Sequence, residues 1–505
     1  MRLPFAKATT MDLSHLDASR LLFGFTAAYH FLFVPVTIGL MALIAVFEGW
    51  ALFTGRPALR IAARFLAWPF LLHFACGVLT GYPLRHQIEL HWSGYAAVVQ
   101  QVVGTVFAFE GAVAPWLFAL VAMFALGWHL KPVWHWLVST ALAVVLIVQS
   151  GAILMINAWM QLPVGATFDG HRARVDHLWD LAGNPLLIPK VLHTVGGAWV
   201  LGGFLGVSIS AWFLLRQRHV DIAGPSLRAA AAFTLAALLL TGIAGHWSGE
   251  RLATHQPAKF AAIEALWESD PDGNPLLLFA LPDQAARRNR FEVGLPGVLD
   301  WVAHAEPGEL RGLRSLADET GRTLRQALDD APASRLGPTT LFGSSCCATR
   351  PGEAEIDHVA RQALPPVATV FWSFRVMLLA WGAMVCLVAA VLWRPPGPRL
   401  LTACVWAVPL PWVAIEAGWL VCEAGRQPWT ITGVLATRAS LGHVSAAEVG
   451  SHLLLALVTG ALLLAVHVAL NLAHVRRGLR PAPARSCGTR QNAPRPSLQH
   501  LSRTP

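Results

Sequence analysis

Long apolar runs recur along the chain, and they constrain its fold more than any other feature. Nine of them approach or exceed the roughly 20 residues that an α-helix needs to cross a bilayer. We place the predicted spans at residues 20–48, 64–84, 98–127, 133–159, 189–215, 226–246, 368–393, 401–423 and 449–475. Only 13% of the 505 residues are charged, about half of the share usual in soluble domains. The sequence therefore predicts an all-α integral membrane protein with about nine transmembrane helices and a large extracytoplasmic loop between helices six and seven.

The segments between and beside these runs divide the chain into five parts. We predict an N-terminal segment at 1–19, helices one to six within 20–246, a polar loop at 247–366, helices seven to nine within 367–475, and a tail at 476–505. The loop is too long for a simple connector. The tail is rich in proline, arginine and serine, a composition that predicts disorder.

Basic residues cluster in the connections on one side of the predicted bundle. Arg56 and Arg64 join the first two spans, Arg216 joins the fifth and sixth, and Arg476 and Arg477 follow the ninth. The positive-inside rule assigns this side to the cytoplasm, so that the N-terminus and the long loop lie outside and the C-terminus lies inside. The formal charge of +9 then reflects membrane topology, and we expect a lipid bilayer and no nucleic acid as partner.

Five polar or sulfur-bearing side chains share one predicted depth, in the outer half of the bilayer under the long loop. They are His30, Glu110, His193, Met377 and Glu423. Ionisable groups in spans are costly and usually functional, and histidine and methionine are common axial ligands of heme iron. Taken singly, a buried histidine is as often a packed core residue, and a lone methionine usually fills space. The shared depth favours the functional interpretation.

Short motifs resemble subunit I of the cytochrome bd ubiquinol oxidase family, in its short Q-loop form. They are YHFLFVP at 29–35, NAWMQ at 157–161, KFAAIE at 259–264, FRVM at 374–377 and GRQPW at 425–429. Order, spacing and topology match from about residue 12 to residue 475. The resemblance implies a heme-bearing subunit of the bacterial cytoplasmic (inner) membrane. Such a subunit oxidises quinol at the outer Q-loop, reduces O2 to water and is electrogenic, because its protons come from the cytoplasm.

The resemblance also implies three hemes, held by residues at four matching positions. His193 and Met377 match the two axial ligands of a low-spin heme b of the b558 type. His30 and Glu423 match ligands of two high-spin hemes, one a heme b of the b595 type and the other a heme d or a third heme b. Which of the two hemes each residue binds is left open. Arg426 follows Glu423 and can supply the cation that a buried carboxylate needs.

Further residues match positions around the hemes and the quinol. Arg375 matches an arginine beside the low-spin heme, and Arg20 matches one near the start of span one. Trp419 matches a tryptophan between the hemes, suited to electron transfer, and Glu110 matches an acid near the high-spin pair.

Lys259 and Glu264 match the Q-loop residues that act on quinol. Quinol oxidation releases two protons, so Glu264 can serve as a base while Lys259 bonds a quinol oxygen. The alternative for this pair is an ordinary surface pair on an amphipathic helix.

The chain also departs from the family pattern, and this keeps other interpretations open. Phe118 replaces an acid on the usual proton route, Arg85 replaces another acid, and His246 replaces the aspartate before the Q-loop. Proton delivery is then expected by another path, for which a second membrane subunit (subunit II) is a candidate. A small single-span subunit is a further candidate partner. The first alternative is a divergent heme-binding electron carrier that does not reduce O2, and the second is a proton-coupled transporter.

Overall fold

Nine long apolar helices dominate the computed structural model, which describes residues 14–330, 336–343 and 350–479. Each of them contains one of the nine predicted spans, so the membrane-helix prediction is confirmed for the described residues. They are α1 (His15–Phe31) with α2 (Val34–Thr54), α3 (Pro57–His91), α4 (Ser93–Leu126), α5 (Pro132–Gln161), α7 (Leu187–Leu215), α8 (Val220–His255), α13 (Val367–Trp393), α14 (Pro398–Trp406) with α15 (Leu410–Ala424), and α16 (Ala446–Arg477).

The two ends of the chain were predicted to lie outside the spans, and the structure describes them only in part. Residues 1–13 lie outside the described residues, and α1 begins at His15, earlier than the predicted start of span one. The predicted tail from residue 480 onward also lies outside the described residues.

Short elements follow two of the spans. After α5 come β1 (Thr167–Phe168) and β2 (Ala173–Arg174), which pair in antiparallel fashion, and then α6 (Leu178–Ala182). After α15 come β5 (Trp429–Ile431) and β6 (Leu435–Ala436), also antiparallel.

The largest segment between spans connects α8 to α13, and we call residues 256–366 the loop segment. Its elements are α9 (Pro257–Glu264), β3 (Leu276–Asp283), β4 (Arg288–Leu295), α10 (Val298–Ala303), α11 (Leu313–Asp330) and α12 (Glu353–Gln362). The antiparallel β3–β4 hairpin was not predicted from the sequence. Asp283 starts its turn by accepting hydrogen bonds from the backbone amides of Ala285 and Ala286, at 3.0 Å each.

Close backbone packing joins α2 to α7 in the centre of the bundle. A Cβ atom at Gly39 would collide with the backbone of Ala198, and one at Gly202 would collide with the backbone of Gly39. Small residues allow this approach in membranes, where burial of apolar surface drives helix association less than packing does.

Arginines gather at one end of the bundle, which we call the basic end and define by Arg64, Arg218, Arg476 and Arg477. Arg218 donates hydrogen bonds to the backbone oxygens of Arg476, at 3.1 Å, and Arg477, at 3.4 Å. Because α8 starts two residues after Arg218 and runs away from it, the loop segment follows at the opposite end.

Candidate functional site

His193 on α7 is held in one tautomer by a backbone carbonyl. Its Nδ1 lies 3.0 Å from the oxygen of Thr241 on α8. A carbonyl only accepts, so Nδ1 carries the hydrogen and Nε2 keeps its lone pair. Within the described residues, Nε2 has no hydrogen-bond partner. A Cβ on Gly245 would lie 3.1 Å from Cε1 of His193, so this glycine leaves free the space beside the ring.

His30 on α1 has the same arrangement with different partners. Its Nδ1 lies 2.8 Å from Oγ1 of Thr80, which itself donates to the oxygen of Cys76 at 2.8 Å. Thr80 therefore accepts from Nδ1, and Nε2 of His30 is left with its lone pair and no partner in the described part of the chain. A Cβ on Gly81 would lie 3.2 Å from Cε1 of His30.

Met377 on α13 faces a third glycine. A Cβ on Gly418 of α15 would lie 3.1 Å from Sδ of Met377. A glycine on a neighbouring helix therefore lies against each of these three side chains, at the ring edge of His30 and His193 and at Sδ of Met377. Imidazole nitrogen and thioether sulfur are the donor types that commonly hold heme iron.

Glu423, the fourth predicted ligand, ends α15 within a polar network. Its Oε2 pairs with Nη2 of Arg426, and its Oε1 accepts from Nδ2 of Asn157 at 2.8 Å. Lys190 donates to Oδ1 of Asn157 at 2.7 Å. The Glu423 side chain keeps 37% exposure while that of Arg426 has 7%, so the carboxylate still has an open side through which it can bind a metal.

Lys259 on α9 joins the same network from the loop segment. The residue is buried, and Nζ donates to Oε1 of Gln161 and, at 3.0 Å, to the oxygen of Cys422. Gln256 also contacts Gln161, donating to its backbone oxygen at 2.6 Å. Burial lowers the pKa of Lys259 to about 7, so both protonation states are populated near neutral pH.

Glu264 ends the same short helix but faces a different partner. Its Oε2 lies 2.7 Å from Nη2 of Arg375 on α13, and both side chains are buried. Arg375 also donates to the backbone oxygens of Ile263 and, at 2.7 Å, Leu277. Burial raises the pKa of Glu264, and the Arg375 guanidinium opposes that rise. Arg375 therefore ties the loop segment to α13, two residues before Met377.

The remaining predicted residues lie around this centre. Trp419 is one helical turn before Glu423 and stacks on Phe31, with ring centroids 4.6 Å apart, which joins α15 to the residue after His30. Arg20 donates to Oε1 of Gln427 at 2.8 Å and so links the start of α1 to the motif that follows α15.

Glu110 lies half-buried on α4, apart from the Glu423 network. The guanidinium of Arg85 lies 4.4 Å from the ring centroid of Phe107, one turn before Glu110. Phe118, where the family pattern has an acid, is 50% exposed on the outer surface of the described chain.

Sequence reasoning missed four members of the network. They are Asn157, Gln161, Lys190 and Cys422. Asn157 and Gln161 are part of a motif that was recognised, but amides in a span are often structural. Lys190 is one of only four lysines in the chain and lies in the first turn of a span, which was the available signal.

Comparisons with known proteins bear on the family and the fold of the chain. A family model described as cytochrome bd terminal oxidase subunit I matches residues 18–479. The chain is 33% identical to the cytochrome bd-II ubiquinol oxidase subunit 1 of Escherichia coli (strain K12), over 92% of this chain and 96% of that protein. It is 31% identical to the cytochrome bd ubiquinol oxidase subunit 1 of Bacillus subtilis (strain 168), over 85% and 86%. The bd oxidase structure from Geobacillus thermodenitrificans is similar in fold, with a TM-score of 0.78, 21% identity, and coverage of 92% of this chain and 99% of that one.

Proposed function

The chain belongs to the cytochrome bd terminal oxidase subunit I family, and on this premise we propose that it oxidises quinol and reduces O2 to water. The observation that carries the proposal is the orientation of His30 and His193, whose Nδ1 atoms are engaged so that Nε2 keeps its lone pair, together with the thioether of Met377. Bound hemes would carry the electrons from quinol to O2 and provide the place where O2 is reduced.

We assign each heme to the side chains whose positions match the family's ligands. His193 and Met377 would hold a low-spin heme b of the b558 type, because two strong neutral ligands favour that state. His30 and Glu423 are the proposed ligands of two high-spin hemes, one of the b595 type and one a heme d or a third heme b. Trp419, between the positions of these two ligands, is the proposed electron-transfer residue.

Lys259 and Glu264 are the proposed quinol residues. Oxidation of a quinol to a quinone releases two electrons and two protons, and the protons need acceptors. The pKa of Lys259 near 7 suits a group that takes up and releases protons at neutral pH, and burial raises the pKa of Glu264, which makes its carboxylate a stronger base. Both side chains are buried on one short helix, so a quinol that reaches them is shielded from bulk water.

The orientation of the chain in the membrane and its partner subunits are also part of the proposal. The loop segment lies on the outer face of a bacterial cytoplasmic (inner) membrane, and the basic end lies in the cytoplasm. Protons for water formation come from the basic end, which makes turnover electrogenic. Subunit II, and a small single-span subunit, are the proposed partners, because only 11% of the residues in the most apolar stretch of α4, and likewise of α16, are buried within the described chain.

Heme spectroscopy combined with quinol-driven O2 uptake tests this function. We expect purified membranes to show three hemes in the reduced-minus-oxidised spectrum and to consume one O2 for every two quinols. A spectrum without heme bands would refute the proposal. Hemes that quinol reduces, but without O2 uptake, would favour the heme-binding electron carrier that the Phe118 departure keeps open.

A further inference from the structure

Three metal-ligating side chains meet where α8 enters the loop segment, and we propose that they bind a zinc ion. His246 and Glu250 lie one turn apart near the end of α8, and His304 follows α10. Oε1 of Glu250 lies 3.6 Å from Nε2 of His246 and 2.8 Å from Nδ1 of His304. All three ligand atoms lie within 4.8 Å of one another.

These distances suit tetrahedral zinc. Two ligand atoms that each lie about 2.05 Å from a tetrahedral ion are about 3.3 Å apart. The distances from Oε1 of Glu250 to the two histidine nitrogens, 3.6 Å and 2.8 Å, fall on either side of that value. All three side chains are partly or largely exposed, so small rotations close the remaining differences. Two histidines and one carboxylate leave a fourth position for water. The bound ion would fasten α10 to the end of α8, next to the helix that carries Lys259.

Zinc titration of the full-length chain, purified without a histidine tag, tests the site. We expect one zinc ion per chain, and binding at least about 100-fold weaker in Glu250→Gln and in the double variant His246→Ala/His304→Ala, because removal of a direct ligand costs more than loss of a second-shell partner. His255→Ala, which removes a neighbouring histidine outside the cluster, should bind zinc like the parent. Equal zinc affinity in the double variant and the parent would overturn the proposal.

Independently, a row of buried and half-buried polar side chains follows the α3–α16 interface, and we propose that it conducts protons from the basic end toward His30. The inference rests on the proposed function, because only a reaction that consumes protons needs such a path. Each O2 takes four electrons and four protons to become two waters. Phe118 removes the acid of the usual route, so this chain needs another one.

The row begins near the basic end. Nε2 of His474 lies 3.0 Å from the oxygen of Phe65, and Asn471 is one turn further along α16. Nδ2 of Asn471 lies 3.0 Å from Nε2 of His467. Neighbours that are one turn apart, about 5.4 Å, can be bridged by a single water.

The centre of the row is a histidine pair whose facing nitrogens lie within hydrogen-bond distance. Nδ1 of His73 donates to the oxygen of Pro69 at 2.7 Å, so its Nε2 holds a lone pair when the ring is neutral. That Nε2 lies 3.0 Å from Nε2 of His467, so a proton on either nitrogen would be shared between the two rings. An extra proton can rest on either ring, which is what a proton relay requires. Both residues are buried, with exposures of 7% and 5%.

The row then continues toward the candidate heme ligand. Nδ1 of His467, the nitrogen away from His73, lies 3.4 Å from Sγ of Cys76. A proton that arrives at Nε2 of His467 can thus leave from Nδ1. One turn beyond Cys76 on α3 are Thr80 and Gly81, which contact or face the ring of His30. The polar residues of both helices therefore run in the same order, from the basic end to His30.

Replacement of His467 separates proton transfer from a structural role. His467→Gln keeps a hydrogen-bonding amide but cannot carry a proton, whereas His467→Glu can. We expect quinol-driven O2 uptake to fall about tenfold or more in His467→Gln, as when other proton-transferring groups are removed, and to recover largely in His467→Glu. Heme content and anaerobic reduction of the hemes by quinol should be unchanged in both variants. Thr234→Val, which removes a buried hydroxyl elsewhere in the bundle, should have no effect.

The outcomes distinguish this path from the function on which it rests. A parent protein without hemes, or without O2 uptake, would refute the proposed function. Full O2 uptake in His467→Gln and in the second variant His73→Leu, with normal heme content, would overturn the path alone. Equal loss of O2 uptake in His467→Gln and His467→Glu would also overturn it, because it would indicate a structural role.

Discussion

Arg375 is the residue whose replacement should most clearly reveal how the loop segment is held. Its guanidinium donates to the Ile263 and Leu277 oxygens and pairs with Glu264, all three in the loop segment. Arg375→Leu removes these bonds and leaves the Glu264 carboxyl buried without its cation. Loss of one partner of a buried ion pair typically costs about 3–5 kcal/mol. The cost falls on the attachment of the loop segment to α13, because no other buried ion pair among the described residues joins them.

Hydrogen–deuterium exchange of the loop segment measures this cost directly. Backbone amides in α9 and β3 exchange through local opening, and the opening free energy should fall by that amount. A loss of about 3 kcal/mol corresponds to roughly 100-fold faster exchange. Glu264→Gln keeps two of the three contacts of Arg375 and should give about tenfold faster exchange, since a hydrogen bond to a charged group contributes about 1.5–3 kcal/mol.

A matched control removes an exposed arginine from the same segment. Arg290 pairs with Asp283 in the β3–β4 hairpin, and its side chain is 73% exposed. Exposed pairs contribute about 0–1 kcal/mol, so exchange in Arg290→Ala should change little. If Arg375→Leu exchanged no faster than Arg290→Ala, the assignment of Arg375 as the anchor of the loop segment would be refuted.

Three further predictions concern the heme and quinol positions. Met377→Leu should remove the low-spin heme signal from the reduced-minus-oxidised spectrum, whereas Met384→Leu, two turns further along α13 and buried, should keep it. Gly245→Val should lower low-spin heme content by filling the space beside His193, as measured by pyridine hemochrome analysis. The ammonium of Lys259 loses its proton as pH rises through about 7. The KM for quinol should therefore rise above that pH, and Lys259→Arg, which stays charged, should remove the change.

The spans could be predicted from the sequence because their signal is local. Each span needs only a run of apolar residues of sufficient length, and neither contacts nor partners alter that requirement. The β3–β4 hairpin was missed because register shifts interrupt the pairing of its strands, so that neither strand shows a clean alternation of buried and exposed residues.

Only some residues of the candidate site could be predicted from the sequence, because the others are brought together by the fold. His30, His193 and Met377 stand out as costly or unusual residues within spans, but the glycines opposite them lie on other helices, and only the fold brings the two together. Lys259 and Glu264 were predicted as a pair. In the structure they lie on one helix, but Lys259 contacts Gln161 and Glu264 contacts Arg375. Helix periodicity does not predict which residues of other helices a side chain will contact.

The charges around Glu423 carry one more argument about the hemes. Lys190, Lys259 and Arg426 all lie within the network that contains Glu423, so it holds three basic groups and one carboxylate. Buried charges need compensation, and deprotonation of Lys259 supplies only part of it. Heme propionates are anionic and would supply the remainder. We therefore expect heme loading to stabilise the parent chain more than it stabilises the Lys190→Met variant. The variant has a smaller excess of positive charge in this network. The difference in melting temperature between heme-loaded and heme-free protein would measure the effect. An equal gain in both proteins would mean that the excess charge is balanced in another way.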